Sequence, residues 1–507
     1  MTEAQQSIGK SNLPPRSIIG EDGLSLWSTR TVVDDEHTPW AWLALLSAAA
    51  LVLRVIGLNS GLWYDEIITV IESVRSPLYE IVTEFPGNNQ HVLFSVLAHL
   101  STSMFGEHAW SVRLPSLVFG VAAVPVLYLF ARQFVTRLEA LLACVLLTTA
   151  YHHVWFSQNA RGYSALACLT LLSSWLLMRG LRRGRTIDAV WYGLAAALGV
   201  YAHLTMMFLV VSHALLCGAT VVVGRRNDLL RQRGRFAAMA FGLATVFTLL
   251  LYSPILLDVR QFFVTHPNLD TPATPAWAVG ELIRGLKVGL GAGLGAIVGG
   301  LFFAAGIRSY FKQSPFVLGV FVLPGVVTVG AALALGRPVF PRFVFFLIGF
   351  ALLIAVRGAL EIGGWVGRRW TQTGPVLVLV MAAVSLISLV PNYRYPKQDF
   401  EGALRFVEDH RAAGEKIATV GLTRRVYREY YRRSFDSVTT LDELQTLRAD
   451  GRQTWVLYTL ERYIEDRSPD LLWALQSDCV PEAVFRGTVG DGDVTVCRVQ
   501  PIDARLP

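Results

Sequence analysis

Hydrophobic and polar positions fall into long blocks along this chain, not into the short alternations of a soluble fold. Apolar runs of spanning length lie at roughly 40–57, 113–131, 138–156, 163–180, 188–202, 203–223, 236–257, 284–306, 316–335, 341–360 and 374–391. They predict eleven membrane helices. Basic clusters Arg132/Arg137, Arg182/Arg183/Arg185, Arg225/Arg226/Arg231/Arg233/Arg235, Arg308/Lys312 and Arg368/Arg369 follow every second run, as cytoplasmic loops do. The N-terminus is then inside and the C-terminus outside. The stretch His91–Phe105 breaks this alternation. It is short and carries His91, Ser95, His99 and Ser101, so it reads as an amphipathic helix in the outer interface. The first outer loop then spans 58–112, a length that usually carries function.

Residues 1–39 are polar, carry both charge signs, Pro14 and Pro15, and lack an apolar signal region, so they read as a disordered cytoplasmic tail. The membrane domain covers 40–391. From Asn392 the composition turns charged, and 392–507 reads as a small α/β domain on the outer face. Its helix-like stretches are 399–412 and 423–433, and its strand-like stretches 416–420, 455–459, 481–486 and 493–499. Cys479 and Cys497 bracket a Gly-Asp-Gly turn and could form a disulfide there, with two buried thiols as the alternative. Cys144, Cys168 and Cys217 lie in spans and read as packing residues.

Composition excludes an ordinary soluble enzyme. Of 507 residues 53% are hydrophobic and 16% charged, against about 25% charged in soluble domains. The net charge of +7 is accounted for by cytoplasmic loops, not by nucleic-acid binding.

The outer loops hold the candidate chemistry. Asp65 and Glu66 follow an aromatic pair just beyond the first span. One acid could accept a hydroxyl proton while its neighbour orients substrate, or both could simply complement a helix dipole. Asn88-Asn89-Gln90-His91 offers amides and an imidazole to an anionic or sugar group, or caps the next helix. Arg161, Arg337 and Arg342 sit on the side where positive charge is disfavoured. They suggest a lipid-phosphate site, with snorkelling to phospholipid headgroups as the plainer account. His152, His153, His203 and His266 match no metal-ligand spacing, so a divalent metal is unsupported and no cofactor is indicated. Glycines every four residues at Gly285, Gly289 and Gly293, interleaved with Gly291, Gly295 and Gly299, mark close helix packing, and no nucleotide-binding loop can be read.

In chain order, Leu62-Trp63-Tyr64-Asp65-Glu66, Asn88-Asn89-Gln90-His91-Val92-Leu93, Phe105-Gly106, Arg113-Leu114-Pro115-Ser116 with Gly120, Ser157-Gln158-Asn159-Ala160-Arg161-Gly162-Tyr163, Tyr201-Ala202-His203 and Pro341-Arg342-Phe343 resemble the GT-C glycosyltransferases. The resemblance is to the protein O-mannosyltransferase and aminoarabinose-transferase type, especially its bacterial family-39-like branch. It is detailed to about residue 210 and looser beyond.

It implies a GT-C fold of about 11 to 13 transmembrane helices in a bacterial cytoplasmic membrane. The implied reaction is inverting transfer of a sugar from a polyprenyl-phosphate donor to a hydroxyl acceptor on a protein, glycan or lipid at the outer face. Asp65 would be the base and Glu66 its assistant. Arg161 and Arg342, with Arg337 beside them, would hold the lipid phosphate. Tyr64, Asn89, His91, Asn159, Tyr163 and His203 would bind substrate. Two departures stand out: Asn159 occupies a position that is acidic in many relatives, and Gln90-His91-Val92 replaces the usual His-Pro-Pro. Two other classes remain: a lipid or solute transporter that uses the same outer cavity, and an inactive scaffold of the same fold. The spans are nearly free of acids and lack a repeat, which disfavours the transporter.

Overall fold

The computed structural model describes residues 37–87, 89–223, 228–265, 280, 283, 293–336, 340–366 and 372–501. The tail up to residue 36, Asn88, His266, Arg337, the loop arginines Arg225, Arg226, Arg368 and Arg369, and Gly285, Gly289 and Gly291 lie outside the described residues. Each of the eleven apolar runs holds a helix. Among the described residues six helices are long and apolar enough to cross a membrane, or seven if one bent pair is a single span, and four apolar helices are shorter.

The bundle begins with α1 (Trp40–Val55), and the loop that follows it folds into α2 (Tyr64–Thr69), a π turn (Val70–Val74), α3 (Leu78–Thr83) and α4 (Val92–Phe105). At 14 residues, α4 is about 21 Å long, less than the roughly 30 Å of a hydrocarbon core. It packs against α5 (Ala109–Ala131), which also contacts α1, α6 (Arg137–Thr149), α7 (Tyr151–Ser157) and α8 (Tyr163–Arg183). Next come α9 (Thr186–Ala202), α10 (Met206–Val223), α11 (Asp228–Tyr252) and α12 (Leu256–Thr265). The helices Gly293–Gln313, Pro315–Ala334, Ile348–Val366 and Thr373–Ile387 complete the apolar bundle, with a 3₁₀ turn Pro341–Leu347 leading into the third of them.

The run 138–156 is not one straight helix: α6 and α7 meet at a bend of 58°. A break strands the last carbonyls of the first segment, and in an apolar setting they need donors. Arg54 supplies them. Its Nη1 donates to Thr148 O (3.2 Å), its Nη2 to Leu147 O (3.2 Å) and its Nε to Ser157 Oγ (3.1 Å), with the side chain fully buried. Gly120 of α5 is required here, because a Cβ would collide with the Ser157 side chain.

The C-terminal region forms a five-stranded sheet in the order β2-β1-β3-β5-β4: β1 (Lys416–Val420), β2 (Asp436–Val438), β3 (Thr454–Tyr458), β4 (Cys479–Phe485) and β5 (Val494–Val499). β1 runs parallel to β2 and β3, in register Ile417↔Trp455, and β5 pairs antiparallel with β3 and β4. Cys479 and Cys497 form a disulfide across β4 and β5. The short β2 was not evident from the sequence, because three residues are too few to show alternation.

Both faces of this sheet are covered. Ala418, Val420, Val456 and Tyr458 meet the helices Leu441–Ala449, Glu461–Arg467 and Pro469–Asp478 on one side. On the other, Ile417, Trp455, Leu457, Val494 and Val496 share a single apolar cluster with the helix Phe400–His410 and with Leu62, Ile67, Val70, Phe94 and Val112 of the loop after α1, α4 and α5. The loop that carries Asp65 is therefore clamped between the bundle and the sheet.

Candidate active site

Neighbouring residues on a helix project about 100° apart, so Asp65 and Glu66 in the first turn of α2 leave in different directions. Asp65 faces a polar recess. Its side chain keeps 18% exposure, and Oδ2 lies 3.7 Å from Nη1 of Arg342 and 4.0 Å from Nη2 of Arg161. Arg342 arrives from the 3₁₀ turn and Arg161 from the link between α7 and α8.

Arg161 is held at both ends. Its carbonyl accepts from Ser116 Oγ of α5 (2.8 Å), and its Nη1 donates to Asn89 Oδ1 and to Thr69 Oγ1 (3.4 Å). The Thr69 hydroxyl donates to the Asp65 carbonyl (2.8 Å), and Asn89 Nδ2 donates to that carbonyl (3.4 Å) and to Thr69 Oγ1 (3.3 Å). Asn89 thus ties the arginine to the acid's own backbone. The Nε atoms of both Arg161 and Arg342 are buried without a partner, which leaves donor capacity for an oxyanion.

His91, Tyr163 and His203 form an aromatic wall beside these arginines, with ring centroids 4.9 to 5.4 Å apart. His91 Nδ1 donates to the Ala202 carbonyl (3.0 Å). Its Nε2 is then an acceptor lone pair, and it is buried without a partner. His203 has the opposite tautomer, because its Nδ1 accepts from the Thr205 backbone N–H (3.2 Å). Burial, reinforced by Arg161, holds His91 well below the usual histidine range, so this ring is a neutral hydrogen-bonding group at physiological pH. Gly162 makes room for this wall, since a Cβ there would lie 2.9 Å from His91 Nδ1.

Glu66 is built differently. It is fully buried, and Arg113 of α5 grips it through Nε to Oε1 (2.8 Å) and Nη2 to Oε2 (2.5 Å). The Ala160 N–H donates to Oε1 (2.6 Å) and the Trp63 N–H to Oε2 (3.2 Å). Burial alone would raise this carboxyl, but Arg113, Lys397 and the Ala160 N–H together hold it below its ordinary value. With both oxygens engaged, Glu66 fixes the start of α2, the Ala160–Arg161 link and α5 relative to one another.

Lys397 lies near this ion pair, buried, with Nζ donating to Gln158 O (2.5 Å). Burial, with Arg113 opposing and Glu66 only partly compensating, brings its ammonium down to about 7. The unfolded chain keeps this proton up to the ordinary lysine range, so between about pH 7 and pH 10 unfolding takes up protons and stability rises with pH; below 7 the penalty is present in full. Wild-type melting temperature should climb from pH 7 to 9 relative to that of Lys397→Met. Parallel profiles would remove Lys397 as the titrating group.

The remaining expectations divide. Asn159 is fully buried and accepts from Trp63 Nε1 (3.1 Å), so it braces the loop from behind. Tyr64 borders the C-terminal domain, where its N–H donates to Gln398 Oε1 (2.8 Å) and Gln398 Nε2 donates to Thr459 Oγ1 (3.1 Å). Sequence reasoning gave Arg113, Arg54, Lys397 and Gln398 no role. For Arg113 a signal existed, a cation at the mouth of an apolar run, but nothing local named its partner 47 residues upstream.

Residues 90–252 match the family described as dolichyl-phosphate-mannose-protein mannosyltransferase. A curated relative, "Putative mannosyltransferase YkcB" of Bacillus subtilis (strain 168), is 30% identical over 88 residues, 17% of this chain and 12% of that protein. The chain thus spans only about an eighth of that relative. Among solved structures, ArnT from Cupriavidus metallidurans superposes in its apo state with TM-score 0.54 at 14% identity, covering 90% of this chain and 98% of ArnT. ArnT bound to undecaprenyl phosphate gives 0.51 at 14% identity, covering 92% and 99%. The archaeal oligosaccharyltransferase AglB from Archaeoglobus fulgidus, in complex with an inhibitory peptide and a dolichol-phosphate, gives 0.51 at 10% identity, covering 92% and 74%. A segment that matches a mannosyltransferase family, residues 90–252, thus sits inside a fold that most of the chain shares with ArnT and AglB.

Proposed function

We propose that the protein transfers a sugar from a polyprenyl-phosphate donor to a hydroxyl acceptor at the outer face of a bacterial cytoplasmic membrane, inverting the anomeric centre. The observation that carries this reading is the reachable Asp65 carboxylate beside two arginines with unspent donors. Asp65 takes the acceptor's proton as the hydroxyl oxygen bonds to the anomeric carbon. The bond from that carbon to the phosphate oxygen breaks, and its electron pair leaves with the polyprenyl phosphate. Arg161 and Arg342 stabilise that developing charge, commonly the largest catalytic contribution. His91 Nε2 accepts from a sugar hydroxyl, and Glu66 and Asn159 act as positioning residues. The undecaprenyl phosphate and dolichol-phosphate of the ArnT and AglB structures support the donor class. The Cys479–Cys497 disulfide fits an oxidising compartment for the C-terminal domain.

The test is native mass spectrometry of the protein purified from its own membranes. Polyprenyl phosphate or its glycosylated form should be bound, and Arg342→Ala should lose it, with transfer falling about 10²-fold. Ordinary phospholipid alone, or unchanged occupancy in the variant, would remove Arg342 from a donor site.

A further inference from the structure

The C-terminal domain holds a second cluster of positive charge, apart from Asp65. After β1 the chain makes one helical turn (Thr423–Arg425) and a π turn (Val426–Tyr430), an irregularity often found at functional sites. Spacing of three and four residues puts Arg424, Tyr427 and Arg428 on one side. Adjacent Arg425 goes elsewhere, to Glu72 of the first outer loop (2.7 Å) and to Glu429 (3.1 Å). Arg424, Tyr427 and Arg428 line a cavity of about 50 Å³ with Arg433, Phe435, Thr419 and Ser437.

Four features of this cavity point to an anion. A single water needs about 10–15 Å³ by the same measure, so there is room for a group of about three to five heavy atoms. Three exposed arginines line it: Arg433 pairs with Glu408 at 2.8 Å, Arg424 acts on the Glu443 carboxylate, and Arg428 makes no ion pair among the described residues. With Glu408 and Glu443 as counterions the three arginines keep an excess of about one positive unit, which an anion would balance. Ser437 Oγ is buried without a partner, a state that costs stability until a ligand or water fills it.

We infer that this cavity is a binding site for a tetrahedral oxyanion, a phosphate group held by Arg424, Arg428 and Arg433 with the Ser437 hydroxyl. The phosphate could be free or part of a lipid headgroup. Arg425, which lies between these arginines in sequence, is salt-bridged to Glu72 of the loop that carries Asp65.

The test is calorimetric titration of inorganic phosphate into the full-length protein in phosphatidylcholine nanodiscs at low ionic strength. It is done in an Arg161→Gln/Arg342→Gln background, so that the recess at Asp65 does not contribute. Saturable binding is expected, weakened at least about tenfold by adding Arg424→Gln and Arg428→Gln. Ser437→Val, which removes one neutral donor and fills the cavity, should weaken it several-fold and keeps the test valid if the double substitution unfolds the domain. Absence of saturable binding, or binding unchanged by these substitutions, would overturn the site. Nanodiscs containing phosphatidylglycerol separate the sources: competition with added phosphate only where Arg424 and Arg428 are intact marks a headgroup, and no competition marks the free ion.

Discussion

Replacing Asp65 by asparagine should lower sugar transfer by about 10²–10⁴-fold with no loss of folded protein. The amide has nearly the same shape as the carboxylate, and the Asp65 carbonyl that receives Thr69 and Asn89 is untouched. What disappears is the proton acceptor. The substitution also removes the negative charge that sits 3.7 Å from Arg342 and 4.0 Å from Arg161, so these arginines become freer to hold phosphate. Retention of polyprenyl phosphate should therefore be equal to or greater than wild type while turnover collapses. That opposite movement separates loss of the base from general damage. Turnover near wild type would end the assignment of Asp65 as base.

The neighbouring acid should behave in another way. Glu66→Gln leaves the Arg113 guanidinium buried beside a neutral amide and sets an NH₂ group against the Arg113, Ala160 or Trp63 donors that now point at Glu66. Breaking one side of a buried ion pair costs about 3–5 kcal/mol, whereas replacing both sides with apolar groups of similar volume is often tolerated. Thermal unfolding should show a large loss for Glu66→Gln and substantial recovery for Glu66→Leu combined with Arg113→Met. If Glu66→Gln were instead as stable as wild type and inactive, Glu66 would have to act on substrate.

These two residues also mark how far the amino-acid sequence could be read. Apolar length was enough to place a helix in each of the eleven runs, because burial of apolar side chains writes a strong one-dimensional signal, but not to find α12, which begins where the run 236–257 ends. Adjacency of Asp65 and Glu66 could not reveal that one side chain faces a recess and the other α5, since that depends on the rotation of α2 within the packed structure. The bend between α6 and α7 was hidden for a related reason. The apolar run continues through Ala150, and the compensating donor, Arg54, lies 94 residues away from the Thr148 carbonyl it serves. Arg161 and Arg342 were legible as charge on the unexpected side, but their meeting at Asp65 is tertiary. Lys397 and Gln398 lie at the start of a stretch whose charged composition resembles any soluble surface, and nothing in that composition tells a buried lysine from a solvated one.

The shared apolar cluster has a consequence for how the protein is made. Leu62 and Phe94 are synthesised early, yet they share an apolar cluster with Val494 and Val496, which are synthesised late. During synthesis the loop that bears Asp65 must wait without its final support until the last strand has been made. A molecule interrupted anywhere before β5 therefore lacks part of the apolar surface against which the Asp65 loop is packed.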